Sequence, residues 1–289
     1  MLLFENIKSE KHNSRKKIKM DNKVLRKMVS EAKIIILDIE GTIASIDFLR
    51  NEAFPLVENQ IEDYILIYWE EVKDILSRLR QQSVLDSKES SNDLVQFPSF
   101  PTSENTEVNT NYQKVVIDYV KHLMKNKRDD RVWKGIQGFA LQKAFRNEDI
   151  FAHLYSDAIK ALETWSREGK PVYTYSTGSR DTQIEYFRHT IEGDMSEFIK
   201  EYFDVSIGSK LECQGYRFIC SLAEVNPCEA VFFSDRPKEI VAAKNSGLKA
   251  ILVDRESKIS LIKEEEEFVG SEDGKITSFT EILVDNSND

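Results

Sequence analysis

Residues 34–42 read Ile34-Ile35-Ile36-Leu37-Asp38-Ile39-Glu40-Gly41-Thr42, an apolar run that stops at an acid, meets a second acid two residues on, and closes in Gly-Thr. Four consecutive aliphatic residues ended by a turn signal predict a short strand buried on both faces, as in parallel sheets. Open α/β sheets gather their ligands at the carboxyl ends of strands, which is where Asp38 and Glu40 fall. In an extended chain, residues i and i+2 point the same way, so the two carboxylates address one small volume. Like charges that close favour a shared proton or a cation between them. The pair points to metal binding or acid–base chemistry, against the plainer reading of a strand edge with two solvated acids.

Outward from this strand, the pattern divides in two. Residues 51–80 carry apolar side chains (Phe54, Ile61, Tyr64, Ile65, Tyr68, Trp69, Val72) at three-and-four spacing, and helical patterning returns at 115–124 and 130–145. Between them, residues 82–112 are polar, with Pro98 and Pro101, and are expected to form a loop. From Phe151 onward helix and strand alternate: helix 158–165 ended by Gly169, strand 172–175, a helix with Ile184 and Phe187, a short strand at 203–207, helix 216–222, strand 230–233, helix 237–245, and strand 250–253. Such alternation predicts a parallel sheet with helices on both faces. The expected architecture is an α/β, Rossmann-like core made of residues 31–48 and 152–289, with an all-helical cap, 49–151, inserted after the first strand.

Composition narrows the function classes. The 289-residue chain has 40% hydrophobic residues and a net charge of −10, which argues against nucleic acid as a general partner. No apolar run is long enough to span a bilayer, and no secretion signal is read at the start. Cys213, Cys220 and Cys228 are odd in number and lack neighbouring histidines, so reduced thiols in the cytoplasm are expected rather than a disulfide framework or a zinc site. Residues 1–30 hold nine Lys/Arg against three acids, a net +6 that leaves −16 of the total −10 on the remainder. This segment is expected to be a disordered basic tail, with Ser14-Arg15-Lys16-Lys17-Ile18-Lys19 as a candidate nuclear address. The acidic run Glu264 to Glu267 is expected to be a solvated face. A monomer acting on a small molecule is the expectation.

Three strands end in polar residues: Asp38/Glu40, Ser176/Thr177 and Ser234/Asp235. A parallel sheet brings such ends to one edge. The first pair supplies a nucleophile and a proton handler. Ser176 and Thr177 supply hydroxyls and amides at a helix N-terminus, suited to phosphate. Asp38 and Asp235 supply hard oxygens of the kind Mg²⁺ prefers, and Lys210 a cation against a phosphate dianion.

This set resembles the haloacid-dehalogenase superfamily of aspartyl-phosphate phosphatases, whose motifs occur here in order. Asp38-Ile39-Glu40-Gly41-Thr42 resembles the enolase-phosphatase (acireductone synthase) branch of methionine salvage, in which the second acid is Glu. Ile46-x-Phe48-Leu49, Phe54-Pro55, Lys134-x-Ile136-Gln137-Gly138, Tyr175-Ser176-Thr177-Gly178-Ser179, Phe203-Asp204 through Lys210, and Ile276-Thr277-Ser278-Phe279 are similar to further segments of that branch. Departures are Leu141 where relatives often have Trp, Asp254-Arg255-Glu256-Ser257 in place of Arg-Pro-Gly-Asn, and Arg236 in place of the commoner Val. The resemblance implies Mg²⁺ held by Asp38, Asp235 and a carbonyl at Ile39 or Glu40, the superfamily pointing to Glu40. It implies Asp38 as nucleophile, Glu40 as acid–base, and Ser176, Thr177 and Lys210 on the phosphate. The implied reaction enolises 2,3-diketo-5-methylthiopentyl-1-phosphate and then releases phosphate, with Phe48, Trp133 and Phe139 as candidates for the methylthio end. The alternatives are a phosphomonoesterase of the same superfamily acting on another small ester, or an inactive binding protein of that fold.

Overall fold

The computed structural model describes residues 23–72, 75, 78, 79, 81, 110–125, 131–269 and 274–283; the candidate nuclear address and residues 82–109 of the expected loop lie outside them. In chain order the elements are helix α1 (residues 23–31), strand β1 (Ile34–Leu37), a π-helical turn (Leu49–Ala53) running into α2 (Phe54–Ile67), α3 (Thr110–Lys125), α4 (Arg131–Arg146), α5 (Ser156–Arg167), β2 (Val172–Tyr175), α6 (Arg180–Arg188), β3 (Glu201–Phe203), α7 (Cys213–Leu222), β4 (Ala230–Ser234), α8 (Pro237–Asn245), β5 (Lys249–Val253), α9 (Lys263–Val269) and β6 (Lys275–Ile276). They form two compact units: Met1–Ile46 with Ala152–Asp289, and Asp47–Phe151.

In the first unit the six strands form one parallel sheet in the order β3-β2-β1-β4-β5-β6. The chain changes winding direction at β1, the position at which such sheets open a crevice. Register sets what reaches that crevice. Leu37 lies level with Thr174 of β2 and Phe233 of β4, so Asp38, Ser176 and Asp235 all emerge at nearly one height. Asp38 N–H continues the ladder to the Phe233 carbonyl at 2.9 Å, and Ser176 N–H reaches the Phe203 carbonyl at 3.1 Å.

Both faces of the sheet are covered, which is why β1, β2 and β4 read as near-continuous apolar runs. On one face, Ile34, Ile36, Tyr175 and Phe232 pack with Tyr216 and Ile219 of α7 and Ile240 of α8. On the other, Trp165 of α5 meets Phe233 at 5.9 Å between ring centroids and Phe279 at 5.8 Å. Burying side chains of this size stabilises by roughly 1.5–3 kcal/mol each.

Three expectations need correction here. The basic tail was expected through residue 30, but residues 23–31 are helical. Leu25, Met28 and Val29 form a buried stripe (1%, 8% and 3% exposed), and Lys170 Nζ holds the Val29 carbonyl at 2.6 Å. The strand expected at 203–207 ends at Phe203, because the Asp204 side chain accepts Ser206 N–H at 2.8 Å and turns 205–207 into a 3₁₀ turn. Within the acidic run, Glu265 is buried and accepts Ile262 N–H at 3.0 Å, capping its own helix.

Every described element of the second unit is helical. Tyr64 donates to Asp149 at 2.6 Å, and the buried Lys143 lies 4.3 Å from the centre of the Tyr68 ring. Phe48 and Leu141 are buried and Phe139 is half-buried; the Trp133 side chain is outside the described residues.

Candidate active site

Asp38 leaves β1 buried, 2% exposed. Lys210 Nζ donates to its Oδ1, and the hydroxyls of Thr42 and Ser234 reach its Oδ2 at 3.4 Å each. The same ammonium lies 2.7 Å from Glu239 Oε2, which also accepts the Ser234 hydroxyl at 2.8 Å. One buried cation is thus shared by two buried carboxylates. Burial alone would lower the Lys210 pKa, but the charges of Asp38 and Glu239 overturn that and raise it. Glu239 is raised by burial and then by the charge of Asp38. Tyr216 fixes the lysine's segment from beneath, its hydroxyl donating to the Lys210 carbonyl at 2.7 Å.

Glu40 is half-buried and accepts the Ser176 hydroxyl at 3.2 Å. Burial, then the neighbouring Asp38 charge, raises its proton affinity. Ser176 is itself fully buried, and its Oγ accepts Gly178 N–H at 3.2 Å. Thr177 has an exposed side chain. Ser179 caps α6 by accepting Thr182 N–H at 3.3 Å, so residues 176–179 lead into a helix N-terminus of the kind that favours anions.

Asp235 is built in from the opposite side. Its N–H donates to Thr42 Oγ1 at 3.0 Å, and its carboxylate lies where a Cβ on Gly41 would be. Gly41 has φ +79°, a left-handed conformation that glycine adopts without cost. Burial, then the charges of Asp38 and Glu239, push the Asp235 pKa up to about 7, and its Oδ1 is buried with no hydrogen-bond partner.

An orphaned carboxylate oxygen near another acid is a donor a hard cation could use. Asp38, Asp235 and one backbone carbonyl would leave half an octahedron for water and ligand, as Mg²⁺ favours. Among the described residues there is no cluster of three or more His, Cys, Asp or Glu side chains built as a protein-only metal cage. Ile39 O already accepts the amides of Thr42, Ile43 and Ala44 at 3.2, 3.0 and 3.0 Å, whereas Glu40 O accepts no backbone amide among the described residues, which favours Glu40 of the two carbonyls considered.

The structure joins Asp38 to Lys210 and Glu40 to Ser176, and ties Asp235 to Asp38 through Thr42. Sequence reasoning missed Glu239, and treated Thr42 and Ser234 only as the ends of motifs. The available signal was an acid in the first turn of the helix that follows a strand-end acid. It also read Arg255 only as part of a departure, although its guanidinium holds the Thr42 carbonyl at 2.9 and 2.6 Å.

The pairing of a buried strand-end carboxylate with a buried lysine does not by itself name a reaction, and comparison with known proteins gives the class. Residues 32–247 match the model of the haloacid dehalogenase-like hydrolases, and the chain belongs to that family. Within it, the chain is 33% identical over 242 residues to Enolase-phosphatase E1 of Anopheles gambiae, covering 82% of this chain and 79% of that one. It is 32% identical to Enolase-phosphatase E1 of Xenopus tropicalis, over 80% of this chain and 88% of that one. With Enolase-phosphatase E1 of Aedes aegypti it shares 33% identity over 93% of its own length but spans only 23% of that longer protein. Among solved structures, the UTR4 protein of Saccharomyces cerevisiae has the same fold, with a TM-score of 0.58 at 23% identity over 86% of this chain and 98% of that one.

Proposed function

We propose that the protein is an enolase-phosphatase that converts 2,3-diketo-5-methylthiopentyl-1-phosphate to 1,2-dihydroxy-3-keto-5-methylthiopentene and phosphate. The observation that carries the phosphatase half is the buried Asp38, held by the Lys210 ammonium at the end of β1 with the unpartnered Asp235 Oδ1 nearby. Glu40 and the named relatives favour the enolase half.

On this reading an Asp38 carboxylate oxygen attacks phosphorus in line while the bond to the leaving oxygen breaks, giving an aspartyl-phosphate. Glu40, whose proton affinity is raised, protonates the leaving oxygen and then takes the proton of the water that hydrolyses the intermediate. Lys210, the Ser176 hydroxyl and the Thr177 amide hold phosphate oxygens as charge develops on them. Thr177 contributes its backbone amide rather than its exposed hydroxyl. Mg²⁺, where bound by Asp38, Asp235 and the Glu40 carbonyl, supplies electrostatic screening of the phosphoryl group. Glu40 is also the candidate base for enolisation.

The test is direct. Supplied with the diketo phosphate and Mg²⁺, the protein should develop an enol absorbance before phosphate appears, and Asp38→Asn should abolish phosphate release. Phosphate without any enol would identify a simple phosphomonoesterase. Retention of a measured function by Asp38→Asn would identify a binding protein.

A further inference from the structure

Behind the site, a second polar network grips the turn that carries both acids. Arg255 follows β5 and points its guanidinium at the 39–44 turn: Nε and Nη2 both donate to the Thr42 carbonyl, at 2.9 and 2.6 Å, and Nη1 donates to Asp157 Oδ2 at 2.6 Å. The guanidinium lies 4.3 Å from the centre of the Tyr155 ring and 5.2 Å from that of Phe279, close enough for cation–π attraction to both. Asp157 is in turn fixed by the Ser278 hydroxyl and Phe279 N–H, each at 2.7 Å. The Arg255 side chain is 13% exposed, as is that of Asp157.

What the guanidinium holds matters because of what Thr42 does with its other end. Its hydroxyl reaches Asp38 Oδ2 at 3.4 Å and accepts Asp235 N–H at 3.0 Å. Thr42 therefore bonds both Asp38 and Asp235, and Arg255 clamps its carbonyl with two donors in a fixed fork. A lysine here could supply the charge and a single bond, but not the fork or the planar stacking.

We propose that Arg255 is a positioning residue: through the Thr42 carbonyl it sets the relative placement of Asp38 and Asp235, with Asp157, Ser278 and the Tyr155 and Phe279 rings holding Arg255 itself. The proposal rests on the reading of Asp38 as nucleophile. It assigns a role to a residue that does not itself touch Asp38 or Asp235, in the turn just after β5, the strand two places away from β1.

The experiment compares the wild-type chain, Arg255→Lys and Arg255→Ala in phosphate release from a simple aryl phosphate and from the diketo phosphate. Rates are normalised to folded protein, with thermal unfolding and amide exchange of residues 41–44 followed in parallel. Displacing catalytic groups by a fraction of an ångström to an ångström costs on the order of tenfold to a hundredfold in rate. Arg255→Lys should therefore lower kcat by about tenfold with KM within about twofold, and Arg255→Ala by more. Exchange of the 41–44 amides should rise while that of β1 and β4 stays unchanged. Millimolar guanidinium should restore part of the Arg255→Ala turnover, and equal sodium chloride should not. Unchanged kcat per folded molecule with unchanged turn exchange overturns the proposal, as does loss confined to unfolding temperature, which marks a merely structural clamp. If wild type proves inactive on both esters, the nucleophile reading fails, and turn exchange still decides whether Arg255 fixes the 39–44 segment.

Discussion

Replacing Gly41 by alanine tests the site through the least chemistry. A Cβ there would sit 2.2 Å from Asp235 Oδ2 and 2.6 Å from its Cγ, whereas ordinary contact begins at 3.4 Å, so one group must move by about 1.2 Å. Because the obstacle is the side chain of a candidate ligand, the movement falls on Asp235 or on the turn that carries Asp38. The left-handed φ of +79° adds a backbone cost of roughly 1–2 kcal/mol for a non-glycine residue. The two effects separate with a control. Gly169, which ends α5 at φ +65°, has nothing within 4 Å of its would-be Cβ, so Gly169→Ala carries the backbone strain alone. Both variants should lose a few degrees of unfolding temperature, since about 1 kcal/mol corresponds to roughly 2–4 °C in a protein of this size. Only Gly41→Ala should also lose turnover, on the order of a hundredfold for a displacement of this size. Phosphate release per folded molecule and thermal unfolding read the two effects. Equal activity in Gly41→Ala and wild type, or equal losses in both variants, would refute the close placement of Asp235 against the turn as the basis of the site.

Lys210→Ala should destabilise by about 3–5 kcal/mol at neutral pH, because it leaves Asp38 and Glu239 buried without their shared cation; urea unfolding measures it, and a loss below 1 kcal/mol would contradict the shared-cation description. Burial opposes ionisation of Asp157, but the Ser278 hydroxyl, the Arg255 charge and Phe279 N–H together hold its pKa below the usual carboxylate value. Its contribution to stability is therefore complete above the unfolded value of roughly 3.9 and is lost as pH falls through the lower folded value. Asp157→Asn should flatten the fall in unfolding midpoint between pH 5 and pH 3, and a wild-type slope in that variant would show that Asp157 does not drive it. Leu25→Ala should cost about 2–5 kcal/mol, as for a packed core leucine, whereas a leucine in an unstructured tail would cost nothing measurable.

The sheet was legible because its strands are short aliphatic or aromatic runs, each stopped by a polar residue, and burial on both faces leaves few other ways to write such a run. Asp38, Glu40, Ser176 and Asp235 were legible for the same reason: they mark the stops. Glu239 was not, since an acid just after Pro237 reads as an ordinary complement to the helix N-terminus; its burial comes from the Lys210 ammonium, which sequence places 29 positions away. Arg255 was hidden by distance, as its partner Thr42 is 213 positions earlier. In α1 the surrounding lysines masked a three-residue apolar stripe. Strand β6 was missed because two residues carry no period. Conversely, the expected strand at 203–207 failed where a single Asp side chain captured the backbone two residues on.

The sheet order also has a consequence for biosynthesis. Among the described residues β1 is the first strand of the sheet to be translated and a central one in it, paired on one side with Val172–Tyr175 and on the other with Ala230–Ser234. At roughly 5–20 residues per second, the interval between translation of Ile34 and of Ala230 is on the order of 10–40 s. Throughout that time three isoleucines and a leucine must be kept from pairing with another nascent chain. A ribosome-stalled chain ending before residue 230 should accordingly bind holdase chaperones through residues 34–37, and release should follow extension past Ser234.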